Sequence, residues 1–201
     1  MLADLSRVLF HESTILSRLD EMAHVITGDY RDKDLTVVAV LNGSFMFLGD
    51  LLRRIPIPLQ VDCLSVSSYS GHRSTGVVTF DQTSVPDITG RHVLVLDDIL
   101  DGGYTLHAVR DRLLELNPAS LKIGVLLRKN RVREKPIEAD YIGFDIEDEF
   151  VVGYGLDFME HYRNLPLIGV LSEGVIQAGL AKLKQDEELA KESEARSGQV
   201  A

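Results

Sequence analysis

Apolar positions in this chain follow two rhythms. Ile15, Leu19, Met22, Ala23 and Ile26 recur at the three-and-four spacing of one helical face, which predicts a helix from Thr14 to about Thr27. Short apolar runs at Thr36–Leu41, Leu59–Ser67, His92–Leu96, Lys122–Leu127, Tyr141–Phe144 and Phe150–Val152 predict strands. Helices are expected between them at Phe45–Arg53 and at Tyr104–Leu116, the latter with Leu106, Val109, Leu113 and Leu116 on one face. Arg31–Asp34 and Asn117–Ser120 read as connecting turns. This alternation predicts an α/β fold with a mainly parallel central sheet flanked by helices on both faces. From Gln185 to Ala201 the chain is polar and short of large apolar residues. The expectation is one domain over residues 1–184 and a tail, 185–201, that is a frayed helix or disordered.

Composition narrows the classes that remain. With 201 residues and 45% hydrophobic content, the chain can bury a substantial core. A formal charge of −10 disfavours broad contact with nucleic acid, whose phosphates would be repelled. No run approaches the roughly 18 apolar residues of a membrane span. A single cysteine excludes an intramolecular disulfide, and no signal peptide opens the chain, so a cytoplasmic protein is expected. The six histidines show no zinc-ligand spacing.

The chemistry concentrates in Val93–Leu106, VLVLDDILDGGYTL. Four apolar residues, Val93–Leu96, lead to adjacent acids, Asp97 and Asp98, at the end of a strand, where open α/β sheets bind ligands. Asp101, Gly102, Gly103 and Thr105 follow, and then the amphipathic helix. The glycines permit a tight turn and close approach to a ligand. A helix start offers unpaired N–H groups and the positive end of its dipole, which favour a phosphate. Thr105 adds a hydroxyl donor. Asp97 and Asp98 repel phosphate but accept hydrogen bonds from vicinal hydroxyls, or hold hydrated Mg²⁺. A phosphate cradle beside hydroxyl acceptors suits a ribose 5-phosphate.

This segment resembles the phosphoribosyl-diphosphate-binding signature of type I phosphoribosyltransferases. FVVGYGLD (Phe150–Asp157), HYRNLP with Arg163, LLRKN with Lys129 and ADYIGFDIEDEF resemble the purine-recognition parts of hypoxanthine-guanine phosphoribosyltransferases. VAVLNGSFMFLGDLL resembles the turn that meets the diphosphate, and SSYSGHRSTG the mobile lid. The likeness spans about Thr14 to Leu171 and implies a small hood, built from the chain ends, over the base site.

Position by position, the resemblance implies the following roles. Asp101 faces N7 of the purine and acts as general base or keeps the transferred proton. Lys129 meets the 6-oxo group, Phe150 stacks on the base, and Val151 reads its edge through backbone groups. Asp157 belongs to the base site and holds Mg²⁺, while Arg163 clamps the diphosphate. Asp97, Asp98, Gly102, Gly103, Tyr104, Thr105, Asn42 and Gly43 bind the ribose phosphate and diphosphate, with Asp97 and Asp98 as further Mg²⁺ candidates through ribose or water. Ser68 and Tyr69 belong to the lid. The implied activity is Mg²⁺-dependent phosphoribosyl transfer from phosphoribosyl diphosphate to hypoxanthine or guanine, in a homodimer or homotetramer. Alternatives are a xanthine-preferring enzyme and a regulator of the same fold that senses phosphoribosyl diphosphate or nucleotide.

Two positions depart from the family pattern. Gly102 stands where a Thr or Ser is usual, and Asn42 where many relatives carry a lysine. The resemblance also implies a non-proline cis peptide before Gly43. Read alone, several of these residues have plainer explanations. Phe150 and Val151 fit strand core, Lys129 a solvated basic loop, Asp157 a turn cap, and Asp145–Glu149 a charged surface loop.

Overall fold

The computed structural model describes residues 1–70, 73–80 and 86–197. A central sheet takes strands β2 (Leu35–Leu41), β3 (Leu59–Ser70), β4 (Arg73–Phe80), β5 (His92–Leu100), β6 (Ser120–Lys129) and β7 (Tyr141–Ile146) in the order β4-β3-β2-β5-β6-β7. Strands β3, β2, β5, β6 and β7 run parallel, and β4 adds an antiparallel edge. Strands β2 and β5 and the second half of β6 are buried on both faces, which is why they read as continuous apolar runs, whereas the flanking β3 and β7 keep exposed positions.

Helices α1 (Glu12–Tyr30) and α2 (Phe45–Leu52) cover one face. The expected stripe Ile15, Leu19, Met22, Ala23 and Ile26 is buried there against Leu94 and Leu96 of β5. Helix α3 (Tyr104–Leu114) covers the other face with Leu106, Val109 and Leu113. Leu116 packs against the same cluster from just beyond the helix end. A fully buried side chain of this kind contributes about 1.5–3 kcal/mol, so these two stripes hold the layers together.

Polar ties also fix α1 on the sheet. Arg18 donates to the carbonyls of Gly143 at 2.8 Å and Ile142 at 2.9 Å, satisfying the free edge of β7. Lys122 and the Tyr141 hydroxyl both donate to Asp29, at 2.8 and 2.6 Å.

The hood is a separate antiparallel sheet in the order β1-β9-β8, from β1 (Leu5–His11), β8 (Val151–Val152) and β9 (Leu167–Leu171). It draws on both ends of the chain, as the resemblance implies. Its own small core unites Val152, Phe158, Tyr162, Leu165 and Leu171 with Val175 and Ile176 of α4 (Glu173–Ser197). Strands β1, β4 and β9 have no counterpart among the expected strands, and helix α4 begins well before the tail in which a frayed helix is one expectation. β1 and β9 are short, irregular in alternation, and stable only as partners of each other. Helix α4 reaches through much of the segment that reads as a polar tail.

Strand ends differ from expectation in one place that matters. β5 runs through Leu100, not Leu96, because it continues pairing with β6 (Asp97 with Val125, Leu100 with Arg128) after its pairing with β2 ends at Ala39–Leu96. Asp97 and Asp98 therefore lie inside a strand, just beyond the last residue pair it makes with β2. Likewise β3 outruns β2: its distal half pairs with β4 alone, as a hairpin arm. Ser68 and Tyr69 belong to the backbone of that arm, whereas Gly71 and His72 fall outside the described residues.

No helix among the described residues is long and apolar enough to cross a membrane.

Candidate active site

Strand order places the site. The chain leaves β2 toward β3 on one side and returns as β5 on the other, so β2 and β5 flank a topological switch point. The crevice opens beyond their carboxyl ends. A cavity of about 790 Å³ lies there, lined by Leu41 and Gly43 after β2, by the segment 97–106, and by residues of β6 and the hood.

The glycine turn and helix start expected to cradle a phosphate adopt a defined local geometry. Gly103 caps α3 with φ +84°, a left-handed conformation that a side chain disfavours, and a Cβ there would lie 2.7 Å from the Lys135 carbonyl oxygen. No side chain caps the helix, so its first N–H groups beside Tyr104 and Thr105 remain available to an anion. Tyr104, Thr105 and Gly102 all line the cavity.

Across from the cradle stands the turn after β2. Its non-proline cis peptide joins Leu41 to Asn42, one bond earlier than the position before Gly43. Leu41 and Gly43 face the cavity; Asn42 is exposed and lies outside its lining. Ser44, fully buried, donates to the Val40 carbonyl and closes the turn. Gly43 is forced by packing: a Cβ would sit 1.7 Å from Asp98 Oδ2.

Between these loops lies the acid pair. Asp97 is 6% exposed, and one of its oxygens accepts the Asp98 backbone N–H at 3.0 Å. Burial, reinforced by the neighbouring Asp98 charge, pushes the Asp97 carboxyl well above the ordinary carboxylate range. Burial also raises Asp98, opposed by a hydrogen bond from Asp97, the Ile99 backbone N–H and the Arg163 charge. The folded protein thus retains a proton here that the unfolded chain releases above its ordinary value of 3.8. Stability from this group falls as pH rises above that value. Asp97→Asn is accordingly expected to raise the Tm of the ligand-free protein at neutral pH by about 2–6 °C and to flatten the loss above pH 4, measured by calorimetry from pH 4 to 8. An unchanged or lowered Tm would contradict the cost assigned to this pair.

Residues of β6 and the hood complete the cavity. Lys129 lies in β6, not in the solvated loop its basic neighbours suggest, and only 9% of it is exposed. Its Nζ donates to Asp101 Oδ2 at 2.9 Å. Phe150 keeps 42% exposure and lines the cavity, which separates it from a core residue; its ring meets Phe158 edge-on at 5.4 Å. Val151 is buried in β8 and Asp157 lines the same cavity. Asp157 does cap a turn, accepting the Glu160 N–H at 2.9 Å, and it also pairs with Arg163 at 2.9 Å. Arg163 donates to the Gly155 carbonyl at 2.9 Å, and Gly155 packs so closely on the Gly43 carbonyl that a Cβ would come within 2.0 Å. The hood loop thereby packs directly on the turn after β2.

Three charged residues at the site carry no sequence signal of their own. Arg131 and Glu134 line the cavity, and Asp148 pairs with Lys129 at 3.1 Å. Asp148 is exposed, as the reading of Asp145–Glu149 as a charged surface loop has it, yet its carboxylate reaches Lys129. Its neighbours do face outward, Asp145 to Arg128 and Glu149 to Arg7. Only the β6–β7 register, which puts Lys129 beside Ile146, brings Asp148 in.

An uncapped helix start, a buried acid and a cavity walled in part by Phe150 meet at the switch point of an α/β sheet, where such folds bind their ligands. Comparison with known proteins gives the family. The phosphoribosyl transferase domain matches residues 9–159, and the chain belongs to that family. It is 42% identical over 178 residues to a hypoxanthine-guanine-xanthine phosphoribosyltransferase of Tritrichomonas foetus, covering 87% of this chain and 96% of that one. A Streptococcus pneumoniae hypoxanthine-guanine phosphoribosyltransferase is 44% identical over 173 residues, with 86% and 96% covered. A crystal structure of a Staphylococcus aureus hypoxanthine phosphoribosyltransferase superposes with a TM-score of 0.83 at 44% identity, covering 87% of this chain and 96% of that one.

Proposed function

We propose that the protein transfers the 5-phosphoribosyl group of phosphoribosyl diphosphate to N9 of hypoxanthine or guanine, with Mg²⁺, releasing IMP or GMP and diphosphate. The observation that carries this reading is the placement of Asp101 and Lys129, 2.9 Å apart, at the base end of a cavity whose other end is the uncapped start of α3.

The residues divide the work along that axis. The N–H groups at the start of α3, with the Thr105 hydroxyl, hold the 5′-phosphate. Asp97 and Asp98 accept the ribose hydroxyls. Lys129 donates to the 6-oxo group and finds no acceptor on the amino group of adenine. Phe150 stacks on the purine, and Val151 reads its edge through the backbone. The N9–C1′ bond forms as the C1′–oxygen bond breaks, and diphosphate leaves with the bonding electron pair. Asp101 takes the proton from N7 as N9 attacks. Arg163 meets the departing diphosphate.

Asp157, with Asp98 beside it, fits a divalent cation. Both offer hard carboxylate oxygens to the cleft, and Mg²⁺ is ordinarily held by one or two carboxylates plus substrate phosphates and water. Bound there, the ion would neutralise charge developing on the leaving diphosphate. Ser68 and Tyr69 would close the hairpin arm over the site and exclude water. Within this reading the enzyme acts in the cytoplasm as a homodimer or homotetramer, as one domain over residues 1–184, without nucleic-acid or membrane partners.

The test is diphosphate release with phosphoribosyl diphosphate, Mg²⁺ and each of hypoxanthine, guanine, xanthine, adenine and uracil. Turnover with hypoxanthine or guanine and little with adenine is expected. Preferential turnover of xanthine would change the assigned base. Absence of turnover with every base, despite phosphoribosyl diphosphate binding, would instead make the chain a sensor of the same fold.

A further inference from the structure

Arg131 shares Asp101 with Lys129. Its Nη1 donates to Asp101 Oδ1 at 2.9 Å, while Lys129 holds Oδ2 at the same distance. Asp148 closes the ring of alternating charge, 3.1 Å from Lys129 and 3.5 Å from Arg131. The second arm of Arg131 donates through Nη2 to Glu134 Oε1 at 2.7 Å. Glu134 in turn occupies the space above Gly102, where a Cβ would fall 2.6 Å from its Oε2. The backbone joins the same two segments, since the Lys135 N–H donates to the Gly102 carbonyl at 3.1 Å. The departure from Thr or Ser at position 102 therefore has a structural counterpart in the Glu134–Arg131 pair.

We propose that Arg131 is a positioning residue for phosphoribosyl transfer, aiming Asp101 at the purine while Lys129 is engaged by the base, and that Gly102 and Glu134 hold Arg131 in place. This rests on the reading that Asp101 and Lys129 face the purine. The physical argument is one of donors. Once a purine enters, the Lys129 ammonium must divide its three rotatable donors among Asp101, Asp148 and the 6-oxo oxygen. A flexible point charge shared in this way fixes the carboxylate poorly. The planar guanidinium of Arg131 keeps Oδ1 in a set direction throughout. Without it Asp101 follows Lys129, and the alignment needed for proton transfer is lost.

Arg131→Met, Arg131→Lys and Glu134→Gln should be made in the full chain, and Arg131→Met also in an Asp101→Asn background. Arg131→Met is expected to lower kcat with hypoxanthine on the order of tenfold, with the KM for phosphoribosyl diphosphate and the Tm little changed. Arg131→Lys should recover part of that loss, and Glu134→Gln should show a smaller one. In the Asp101→Asn background Arg131→Met should cost nothing further, since Arg131 acts through Asp101. Equal losses in both backgrounds, or a loss confined to KM and Tm, would overturn the proposal. If Asp101→Asn alone leaves turnover intact, the reading of the base site fails and this inference with it. If Asp101→Asn abolishes turnover while Arg131→Met does nothing, the inference alone fails.

Discussion

Replacing Asp101 by asparagine is expected to lower kcat with hypoxanthine by about a hundredfold to ten-thousandfold, while phosphoribosyl diphosphate binding changes little. The geometry separates the two effects. Asp101 lies at the base end of the cavity, its oxygens held by Lys129 and Arg131 at 2.9 Å each. The proposed phosphoribosyl diphosphate contacts lie elsewhere, at Gly103 and the start of α3 and at Asp97 and Asp98. Asparagine keeps the shape and one acceptor oxygen but cannot take a proton at neutral pH. It also leaves Lys129 and Arg131 with one anionic partner fewer, so base affinity should weaken moderately. Steady-state kinetics with both substrates varied, and direct titration of phosphoribosyl diphosphate, give the comparison. Parallel losses in turnover and in phosphoribosyl diphosphate affinity would remove Asp101 from the role of base.

The second large effect is steric. Gly43→Ala is expected to destabilise the protein by about 3 kcal/mol, a fall in Tm of about 6–12 °C, and to lower kcat/KM for phosphoribosyl diphosphate on the order of a hundredfold. The added methyl would lie 1.7 Å from Asp98 Oδ2, inside the carboxylate. Relaxation is blocked on a second side, because Gly155 already packs against the Gly43 carbonyl. Either Asp98 leaves the position from which it is proposed to accept a ribose hydroxyl, or the turn separates from the hood. Gly49→Ala is the internal control. Gly49 lies in α2 with nothing within 4 Å of a built Cβ, and there alanine should be neutral or stabilising by about 0.5–1 kcal/mol. A Gly43 variant as stable and active as the Gly49 variant would show that the turn yields more easily than its packing implies.

These expectations show how much of the site was legible along the chain. Asp97, Asp98, Asp101, Gly102, Gly103 and Thr105 were legible together because one strand, one turn and one helix start carry them, and local sequence determines such a unit. Lys129 and Phe150 needed more. In isolation each has a plainer reading, and their ordered resemblance to a known family singled them out. Their burial and exposure, 9% and 42%, then fit a pocket that local pattern does not describe. Arg131, Glu134 and Asp148 were illegible, because charges in charged loops look alike until something buried faces them.

The sequence by itself determined the parallel sheet, the two helical layers, the glycine turn into α3 and the family likeness. Each rests on periodicity or on contacts among residues near in the chain. The tertiary structure alone decided which loops meet. It brought Gly43 against Asp98, Gly155 against Gly43, and Lys129 and Arg131 onto the two oxygens of Asp101. It also paired β1 with β9 across the length of the domain, giving a hood from strands too short to stand alone. The reason is physical: these contacts join residues far apart in sequence, and their energy exists only once the sheet order has placed them side by side.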